Sequence, residues 1–422
     1  MKIWHLPIEV IPTRYTVDWV EDFETAFKKY DIKFETIGDT KPRPIVTGSV
    51  LDAYATSRYK LGQVHTMVQH IQQGDVQDGD VILLADGWFP GVEALMYIRA
   101  LSKRKFYLAA VFHAGSYDPH DFVSRARMRQ WAQWQELAWF NGLDLIFVAT
   151  QYHKDIIVMN SGEFDEHKVF VTGIPFYPER LQKYRQEKQN IVVFPHRTDP
   201  EKHPEMFDRL ERSLKKDFPD WKFIKTMEVT SEYPDEQKRE EYFKILGKAK
   251  VVVSFAEQET FGYSTVEAMA LGCWPVVPNR LSYRETVPHE FRYLRDKQVV
   301  DIVKTLMLRE DSYVWPREVG PMWFEQGWNL NYWEHALDNI IKVLKTHIKT
   351  LSMERDELEQ VKYNQELEKY HARMEYYKWQ AVESQMRGDQ GLPPVLSKDD
   401  AEALMDEEDI AIRPSEEDYD VS

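Results

Sequence analysis

The chain has 422 residues, of which 43% are apolar and 13% aromatic, enough to fill two hydrophobic cores. Its one cysteine, Cys273, excludes a disulfide framework and favours a reducing compartment. The formal net charge of −16 excludes nucleic-acid binding through a generally basic surface, so a basic patch would have to carry such binding.

The beginning of the chain does not resemble a targeting segment. Residues 1–7 become polar too soon for a signal peptide, and no apolar run approaches the roughly 20 residues that span a bilayer. We therefore expect a cytoplasmic protein without a membrane partner.

Strands and helices alternate through the first half of the chain. Buried apolar runs predict strands at residues 2–6, 33–37, 80–85, 106–112 and 143–149, and helical periodicity predicts helices at 15–30 and 92–102. This alternation is typical of a parallel, doubly wound sheet.

Two positions in this half are expected to face a ligand. The first strand-to-helix loop, residues 7–14, lacks the glycines that let a backbone approach a phosphate, so Arg14 is a candidate for binding an acceptor instead. His113 follows a predicted strand and can donate a hydrogen bond to a ligand hydroxyl or a leaving group. A structural histidine bonded to a loop carbonyl is the alternative.

Residues 124–134 interleave arginines with tryptophans. Arg125, Arg127 and Arg129 precede Trp131 and Trp134. On a helix, such residues can follow phosphates and stack on exposed bases, which makes the arginines and Trp131 candidates for binding a nucleic-acid acceptor. The alternative is an amphipathic helix with its tryptophans in the core and its arginines in water.

The second half contains a strand followed by two cations. Residues 191–194 form an apolar run, and Arg197 and Lys202 lie just beyond its carboxyl end, where open α/β sheets bind ligands. Two permanent positive charges can neutralise a diphosphate as it leaves. A charged surface loop is the alternative.

A second strand, at residues 251–254, leads to a pair of glutamates. Glu259 lies in the loop before a predicted helix at 265–271, and Glu267 lies within that helix. The carboxylates can accept hydrogen bonds from sugar and ribose hydroxyls, unless both are simply solvated. The backbone amides of the helix start can bind a phosphate. These amides belong to Phe261, Gly262 and Tyr263.

The joint pattern, Arg-x(4)-Lys after one strand and Glu-x(7)-Glu after another, resembles the family-four-type retaining glycosyltransferases of the GT-B fold. The resemblance covers residues 169–285 well and the first half in outline. Residues 194–205 and 272–285 are similar to the branch that glycosylates queuosine in tRNA. The chain also looks similar to phage enzymes that add sugars to hydroxymethylated DNA.

The resemblance implies an α/β architecture of two Rossmann-like domains that face a crevice. Residues 1–170 would bind the acceptor and residues 171–328 the donor. It further implies that Arg197 and Lys202 bind the donor diphosphate, that Glu259 binds the donor sugar, and that Glu267 binds the ribose. These residues, with His113 near the reacting atoms, are the candidate catalytic and donor-binding set.

One departure from the family limits what can be inferred. The family has Gly-Gly before its last glutamate, whereas this chain has Asn279 to Tyr283 at that place, so the donor sugar stays open. We expect a UDP- or GDP-linked co-substrate, no cofactor and no metal.

The end of the chain is long and charged. Residues 329–387 predict helix, the first part crossing both domains by resemblance and the second pairing as a possible coiled-coil homodimer. Residues 388–422 hold twelve acidic and two basic side chains, a net of −10 that leaves −6 for the rest, and are expected to be disordered.

The sequence therefore predicts transfer of a sugar from a nucleotide sugar to a hydroxyl on a modified nucleic-acid base. Hydroxymethylated phage DNA is the favoured acceptor, in the host cytoplasm if a phage encodes the chain. A tRNA, a glycan or a small molecule is the alternative acceptor. A nucleotide-sugar or nucleic-acid binding protein without turnover is the alternative outside enzymes.

Overall fold

The computed structural model describes residues 1–41, 53–102, 104–313 and 335–389. The chain divides into two compact units. The first, Met1–Leu344, holds all the described strands, and the second begins at Lys345.

The first sheet has six parallel strands in the order β2-β1-β3-β4-β5-β6. Strands β3, β4 and β5 are buried along their whole length because helices cover both faces of the sheet. The strands are β1 (Lys2–Leu6), β2 (Lys33–Thr36), β3 (Val81–Leu84), β4 (Tyr107–Val111), β5 (Leu145–Val148) and β6 (Val169–Val171). The helices among them are α1 (Trp19–Lys29), α2 (Ala53–Gln73), α3 (Val92–Ser102), α4 (Phe122–Arg125), α5 (Arg129–Gly142) and α6 (Gln151–Asn160).

The second sheet has five parallel strands in the order β11-β10-β9-β7-β8. They are β7 (Ile191–Phe194), β8 (Lys222–Lys225), β9 (Val251–Val253), β10 (Trp274–Pro278) and β11 (Arg292–Tyr293). The accompanying helices are α7 (Pro204–Leu214), α8 (Thr226–Thr230), α9 (Asp235–Lys248), α10 (Tyr263–Ala270), α11 (Tyr283–Thr286) and α12 (Val299–Met307).

Each sheet reverses its strand order at one point. Strands β2 and β3 lie on opposite sides of β1, and strands β8 and β9 lie on opposite sides of β7. At such a switch point the connections leave in opposite directions, which opens a cleft beyond the carboxyl ends of the two strands. Ligands are therefore expected after β1 and β3 in the first sheet and after β7 and β9 in the second.

A last helix, α13, runs from Ala336 to Asp389. Within the first unit, its residues Leu337, Ile340 and Ile341 are buried, and the Asn339 side chain donates to the Thr172 carbonyl at 3.1 Å. The predicted helix at 329–387 is thus present from residue 336. Residues 329–334, most of the predicted acidic tail (390–422) and the end of the predicted donor domain (314–328) lie outside the described residues.

The structure contains elements that the sequence did not predict. Helix α2 and strand β8 have no counterpart among the predicted elements, and the predicted helix at 15–30 begins with a 3₁₀ turn, Tyr15–Asp18, before α1. Across the described ranges, no helix combines the length and the apolar character needed to cross a bilayer.

Candidate active site

The two sheets meet through the loops at their carboxyl edges. The Thr260 hydroxyl, after β9, donates to the His113 carbonyl, after β4, at 2.8 Å. The Thr150 hydroxyl, after β5, donates to the Thr260 carbonyl at 2.8 Å, and the rings of Tyr15 and Tyr263 stack with centroids 4.0 Å apart. We call this region the sheet junction; of the predicted site residues, His113 and Tyr263 lie in it, and Glu259 precedes Thr260 in the chain.

Lys202 and Glu259 form a buried ion pair at the switch point of the second sheet. Lys202 is 5% exposed, and its Nζ lies 2.9 Å from Glu259 Oε1 and also donates to the Gln258 carbonyl. The two residues are 57 positions apart, but the loops after β7 and β9 are adjacent, so the fold brings them together. The structure thus joins two of the residues that the sequence assigned to a donor.

The charge on Glu259 is held by its neighbours. Burial would raise the pKa of its carboxyl, but the charge and the hydrogen bond of the Lys202 ammonium lower it, and the net pKa lies below the ordinary value. His196 lies with Nδ1 3.5 Å from Glu259 Oε1 and 3.1 Å from Ser264 Oγ. Burial lowers the pKa of His196 to about 3, so the ring is neutral at physiological pH.

His196 was not a sequence prediction, although it lies inside the Phe194-to-Arg197 motif. Its Nε2 is buried and, within the described part of the chain, has no hydrogen-bond partner. Buried polar atoms are rarely left unsatisfied, so this atom is a candidate for contact with a ligand.

Arg197 lies at the edge of the same loop and is half exposed. Its guanidinium lies 2.9 Å from Asp199 Oδ2 and 3.5 Å from Glu201 Oε1. Glu201 is buried and also pairs, through Oε2, with Arg125 of the first sheet at 3.1 Å. Arg197 is therefore available to an anion only in competition with two carboxylates.

Glu267 lies on α10, which begins after Gly262 in the left-handed conformation, with φ of 87°. The Tyr242 hydroxyl donates to Glu267 Oε2 at 2.8 Å. Burial raises the pKa of Glu267 to about 7, against the opposing effects of Arg239 and the Tyr242 hydrogen bond. Around the helix start, Phe261 is buried, and the Tyr263 hydroxyl donates to the Pro175 carbonyl at 2.6 Å.

His113 has the contacts of a structural histidine. Its Nε2 lies 2.9 Å from the Ala85 carbonyl, so Nε2 carries the proton, and Nδ1 then accepts from the Tyr15 hydroxyl at 3.1 Å. Burial lowers the pKa of His113, although Asp86 opposes this effect. The lowered pKa favours the neutral ring. Both ring nitrogens are engaged, and the carbonyl of His113 binds Thr260 across the sheet junction.

Asp86 and Lys60, which form an ion pair at the first switch point, were not predicted as site residues. Asp86, after β3, accepts from the buried Lys60 at 2.6 Å and from the Trp88 amide at 3.2 Å. Arg14, after β1, is partly buried. Burial lowers its pKa, and the charges that act on it include Asp86 and Arg197. Arg14 therefore lies within the electrostatic reach of Asp86 after β3 and of Arg197 after β7, and its role in binding an acceptor stays a prediction.

The predicted arginine–tryptophan helix is interrupted. Helix α4 ends at Arg125, Arg127 has a left-handed φ of 60°, and α5 begins at Arg129, so the three arginines do not share a helix. All three arginines are exposed, and Arg125 also pairs with Glu201.

The tryptophans on α5 also differ from the core alternative. Trp131 is 50% exposed and Trp134 is 67% exposed, while Trp139 is fully buried. Exposed indole rings beside exposed guanidinium groups form a surface that can stack on bases and bind phosphates.

The chemistry of this arrangement suits a polyhydroxylated anion. Lys202, Arg197 and the start of α10 can neutralise phosphate groups, while the ionised Glu259 can accept hydrogen bonds from hydroxyls. Within the described ranges, no group of three or more His, Cys, Asp or Glu side chains is placed to hold a metal ion.

Comparisons with known proteins agree with the predicted resemblance. A tRNA-queuosine alpha-mannosyltransferase of Drosophila melanogaster is 32% identical over 124 residues, a match that covers 25% of this chain and 33% of the relative. The chain thus spans about one third of the length of this curated relative. No family model matches the chain.

Two solved structures share the fold at low identity. A sucrose-phosphate synthase of Thermosynechococcus elongatus aligns with a TM-score of 0.53 and 13% identity, over 84% of this chain and 99% of that one. A lipopolysaccharide outer core galactosyltransferase aligns with a TM-score of 0.51 and 11% identity, over 82% of this chain and 100% of that one. With its two parallel sheets joined at their carboxyl edges, this chain has the GT-B fold of glycosyltransferases.

Proposed function

We propose that the chain is a glycosyltransferase that moves a sugar from a nucleoside-diphosphate sugar to a hydroxyl of a modified base in nucleic acid. The observation that carries the proposal is the Lys202–Glu259 pair at the second switch point, in which Glu259 precedes the Thr260 that binds the His113 carbonyl of the first sheet's loops. A largely buried, ionised carboxylate beside a buried cation suits a ligand that carries both hydroxyls and phosphates.

The donor would bind to the loops after β7 and β9. Lys202 and Arg197 would neutralise the diphosphate, with the start of α10 supplying amides, and this is the main electrostatic contribution to its departure. Glu259 would hold a hydroxyl of the sugar and Glu267 the ribose. A UDP- or GDP-linked sugar meets these requirements, and no cofactor is needed.

The proposed reaction makes one bond and breaks one. The acceptor oxygen bonds to the anomeric carbon as the bond from that carbon to the diphosphate oxygen breaks. The proton of the acceptor hydroxyl passes to the departing diphosphate. Attack on the face of the leaving group gives retention, so an alpha-linked donor would yield an alpha-linked product.

The acceptor is proposed to be a nucleic acid. The curated relative is described as acting on queuosine in tRNA, and the surface of Arg127, Arg129, Trp131 and Trp134 presents exposed cations and aromatic rings. This support favours tRNA for the first assay. Hydroxymethylated DNA, the acceptor favoured by the sequence, is the second candidate. These substrates would place the reaction in the cytoplasm, the host's if a phage encodes the chain.

The test is a transfer assay with a panel of UDP- and GDP-sugars against tRNA, hydroxymethylated DNA and simple glycans, with product detected by mass spectrometry. Glu259→Gln should lower kcat at least a hundredfold, while Glu163→Gln, an exposed control, should leave it unchanged. Full turnover by Glu259→Gln would refute the site. Nucleotide-sugar binding without product from any acceptor would favour the binding-protein alternative.

A further inference from the structure

A pocket opens where the connection after β5 meets the connection after β10. Its lining comes from the start of α6 (Gln151, Tyr152 and Asp155), from Arg280 and Leu281 in the segment that replaces the family's Gly-Gly, and from Arg284 and Glu285 just after that segment. Both connections leave the carboxyl ends of parallel strands, which is the side on which such sheets bind ligands.

The two arginines of this pocket bind only neutral backbone groups. Arg280 Nε lies 3.3 Å from the Ala256 carbonyl oxygen, and Arg284 Nε lies 3.2 Å from the Asn279 carbonyl oxygen. Among the residues that the structure describes, no carboxylate lies within 4.0 Å of either guanidinium. Their positive charges are therefore not compensated by ion pairs.

A third arginine adds to the positive charge. Arg292 Nη1 donates to the Arg284 carbonyl at 3.2 Å, and its pKa is lowered, first by burial and then by the charge of Arg284. The charge of Arg284 thus disfavours the charged form of Arg292, while Glu290 acts in the opposite direction, and an anion bound at Arg284 would relieve the repulsion between the two arginines.

The carboxylates in the pocket are already engaged. Glu285 accepts from the backbone amides of Gln151 and Tyr152, each at 2.8 Å, which caps the start of α6. Asp155 accepts from the Gln151 side chain at 2.7 Å. Neither acid pairs directly with an arginine, so the pocket has a positive side formed by Arg280 and Arg284 and a negative side formed by Asp155 and Glu285.

The backbone of this segment is strained at Leu281. Its φ of 59° is in the left-handed region, which a residue with a branched side chain rarely adopts. Strain of this kind persists where the surrounding structure fixes it, and it is concentrated at ligand sites. Here it sits directly between the two arginine-bearing turns of the pocket wall.

The pocket lies beside the proposed reaction centre. Thr150, next to Gln151, donates its hydroxyl to the Thr260 carbonyl, and Arg280 binds the carbonyl of Ala256, three residues before Glu259. The diphosphate of the donor already has Arg197 and Lys202 on a different loop. A phosphate bound in the pocket would therefore belong to another molecule held at the same junction.

We propose that this pocket binds a backbone phosphate of the nucleic-acid acceptor through Arg280 and Arg284. The proposal rests on the function proposed above, because it names a subsite for that acceptor. A guanidinium can hold a phosphate with two parallel hydrogen bonds, which positions the polymer as well as attracting it. On a chain with a net charge of −16, such a local positive site is what a polyanion needs to approach the junction.

The test measures binding of tRNA, and of single-stranded DNA, to Arg284→Gln as a function of salt concentration. We expect the dissociation constant to rise about tenfold, and the slope of log affinity against log salt to fall by about one unit, as for the loss of one phosphate contact. Arg212→Gln is the matched control, because Arg212 is an exposed arginine on α7 that likewise binds a neighbouring carbonyl, that of Asp208. Arg284→Lys should keep the slope and recover part of the affinity, since it keeps the charge without the two-pronged geometry.

Several results would overturn the proposal. If Arg284→Gln and Arg212→Gln have the same nucleic-acid affinity and the same slope of log affinity against log salt, Arg284 does not contact a phosphate. An equal loss of affinity for free UDP or GDP would assign the pocket to the donor, and an effect confined to a glycan acceptor would assign it to a different class of molecule. If wild-type protein binds nucleic acid through Arg284 but binds no nucleotide sugar, the subsite stands and the proposed function fails.

Discussion

Replacing Lys202 with methionine should destabilise the protein strongly, because it leaves Glu259 ionised and without its cation. The Lys202 Nζ and Glu259 Oε1 atoms are 2.9 Å apart, so their attraction is about 6 kcal/mol at an effective dielectric constant near 20. Water can reach part of the Glu259 side chain, which is 16% exposed, and will offset some of this loss. We expect the free energy of unfolding to fall by about 3 kcal/mol at pH 7, at the lower end for a broken buried pair.

The effect should depend on pH with a defined sign. In the wild type the pKa of Glu259 is lowered, so its contribution to stability is present above the ordinary pKa of 4.5 and is lost as pH falls through the lower folded value. Without Lys202, we expect burial, the largest single effect on this carboxyl, to raise the pKa of Glu259 above its ordinary value. The folded variant then gains stability by binding a proton as pH falls, so the difference from wild type should shrink between pH 7 and pH 5.

The assay is urea unfolding followed by tryptophan fluorescence at both pH values, with Glu259→Gln and the double variant alongside. Removing the stranded charge should make the double variant more stable than Lys202→Met alone by about 2 kcal/mol. Additive effects of the two substitutions, or a loss at pH 5 as large as at pH 7, would refute the view that the pair stabilises the site electrostatically.

Other predictions test the neighbouring groups. Burial raises the pKa of Glu267 from 4.5 to about 7, so the folded protein binds this proton more tightly than the unfolded one. The free energy of unfolding should therefore fall by up to roughly 3 kcal/mol as pH rises across that interval. Glu267→Gln should abolish this pH dependence in urea unfolding. Glu201→Gln should tighten UDP or GDP binding about fivefold in calorimetry, because the Arg197–Glu201 ion pair, about 1 kcal/mol, no longer competes with the ligand. Weaker binding would contradict this. Trp134→Ala should weaken single-stranded nucleic-acid binding by about 1 kcal/mol or more if a base stacks there, and equal affinity would exclude it. If α13 mediates a homodimer, Leu358→Glu, at a half-exposed leucine, should shift sedimentation towards monomer.

The strands and the positions of the candidate donor residues at their ends were predictable because the signals are local. Apolar runs at 191–194 and 251–254 mark buried parallel strands, and polar residues just after them must lie at the carboxyl edge of a sheet. The contact between Lys202 and Glu259 then needed only that β7 and β9 be neighbours, as in a sheet with its switch point there.

Residues whose role depends on strand order were not predictable. Asp86 gains its importance because β3 lies beside β1 at the first switch point, and no motif in the sequence indicates that order. The break between α4 and α5 at the left-handed Arg127 was likewise not predictable, because helix periodicity alone extends one helix through this segment.

Thr260 connects the loop that carries Glu259 to two loops of the other sheet. This residue follows Glu259 directly, and it holds His113 with its hydroxyl and Thr150 with its carbonyl, both on the opposite sheet. Any motion that parts the sheets must break these two bonds, while Lys202 and His196, on the same side as Glu259, keep their contacts with its carboxylate. If the chain transfers a sugar as proposed, opening of the sheets would therefore expose the donor sugar to water without disturbing the Glu259 carboxylate, and closure would shield it again.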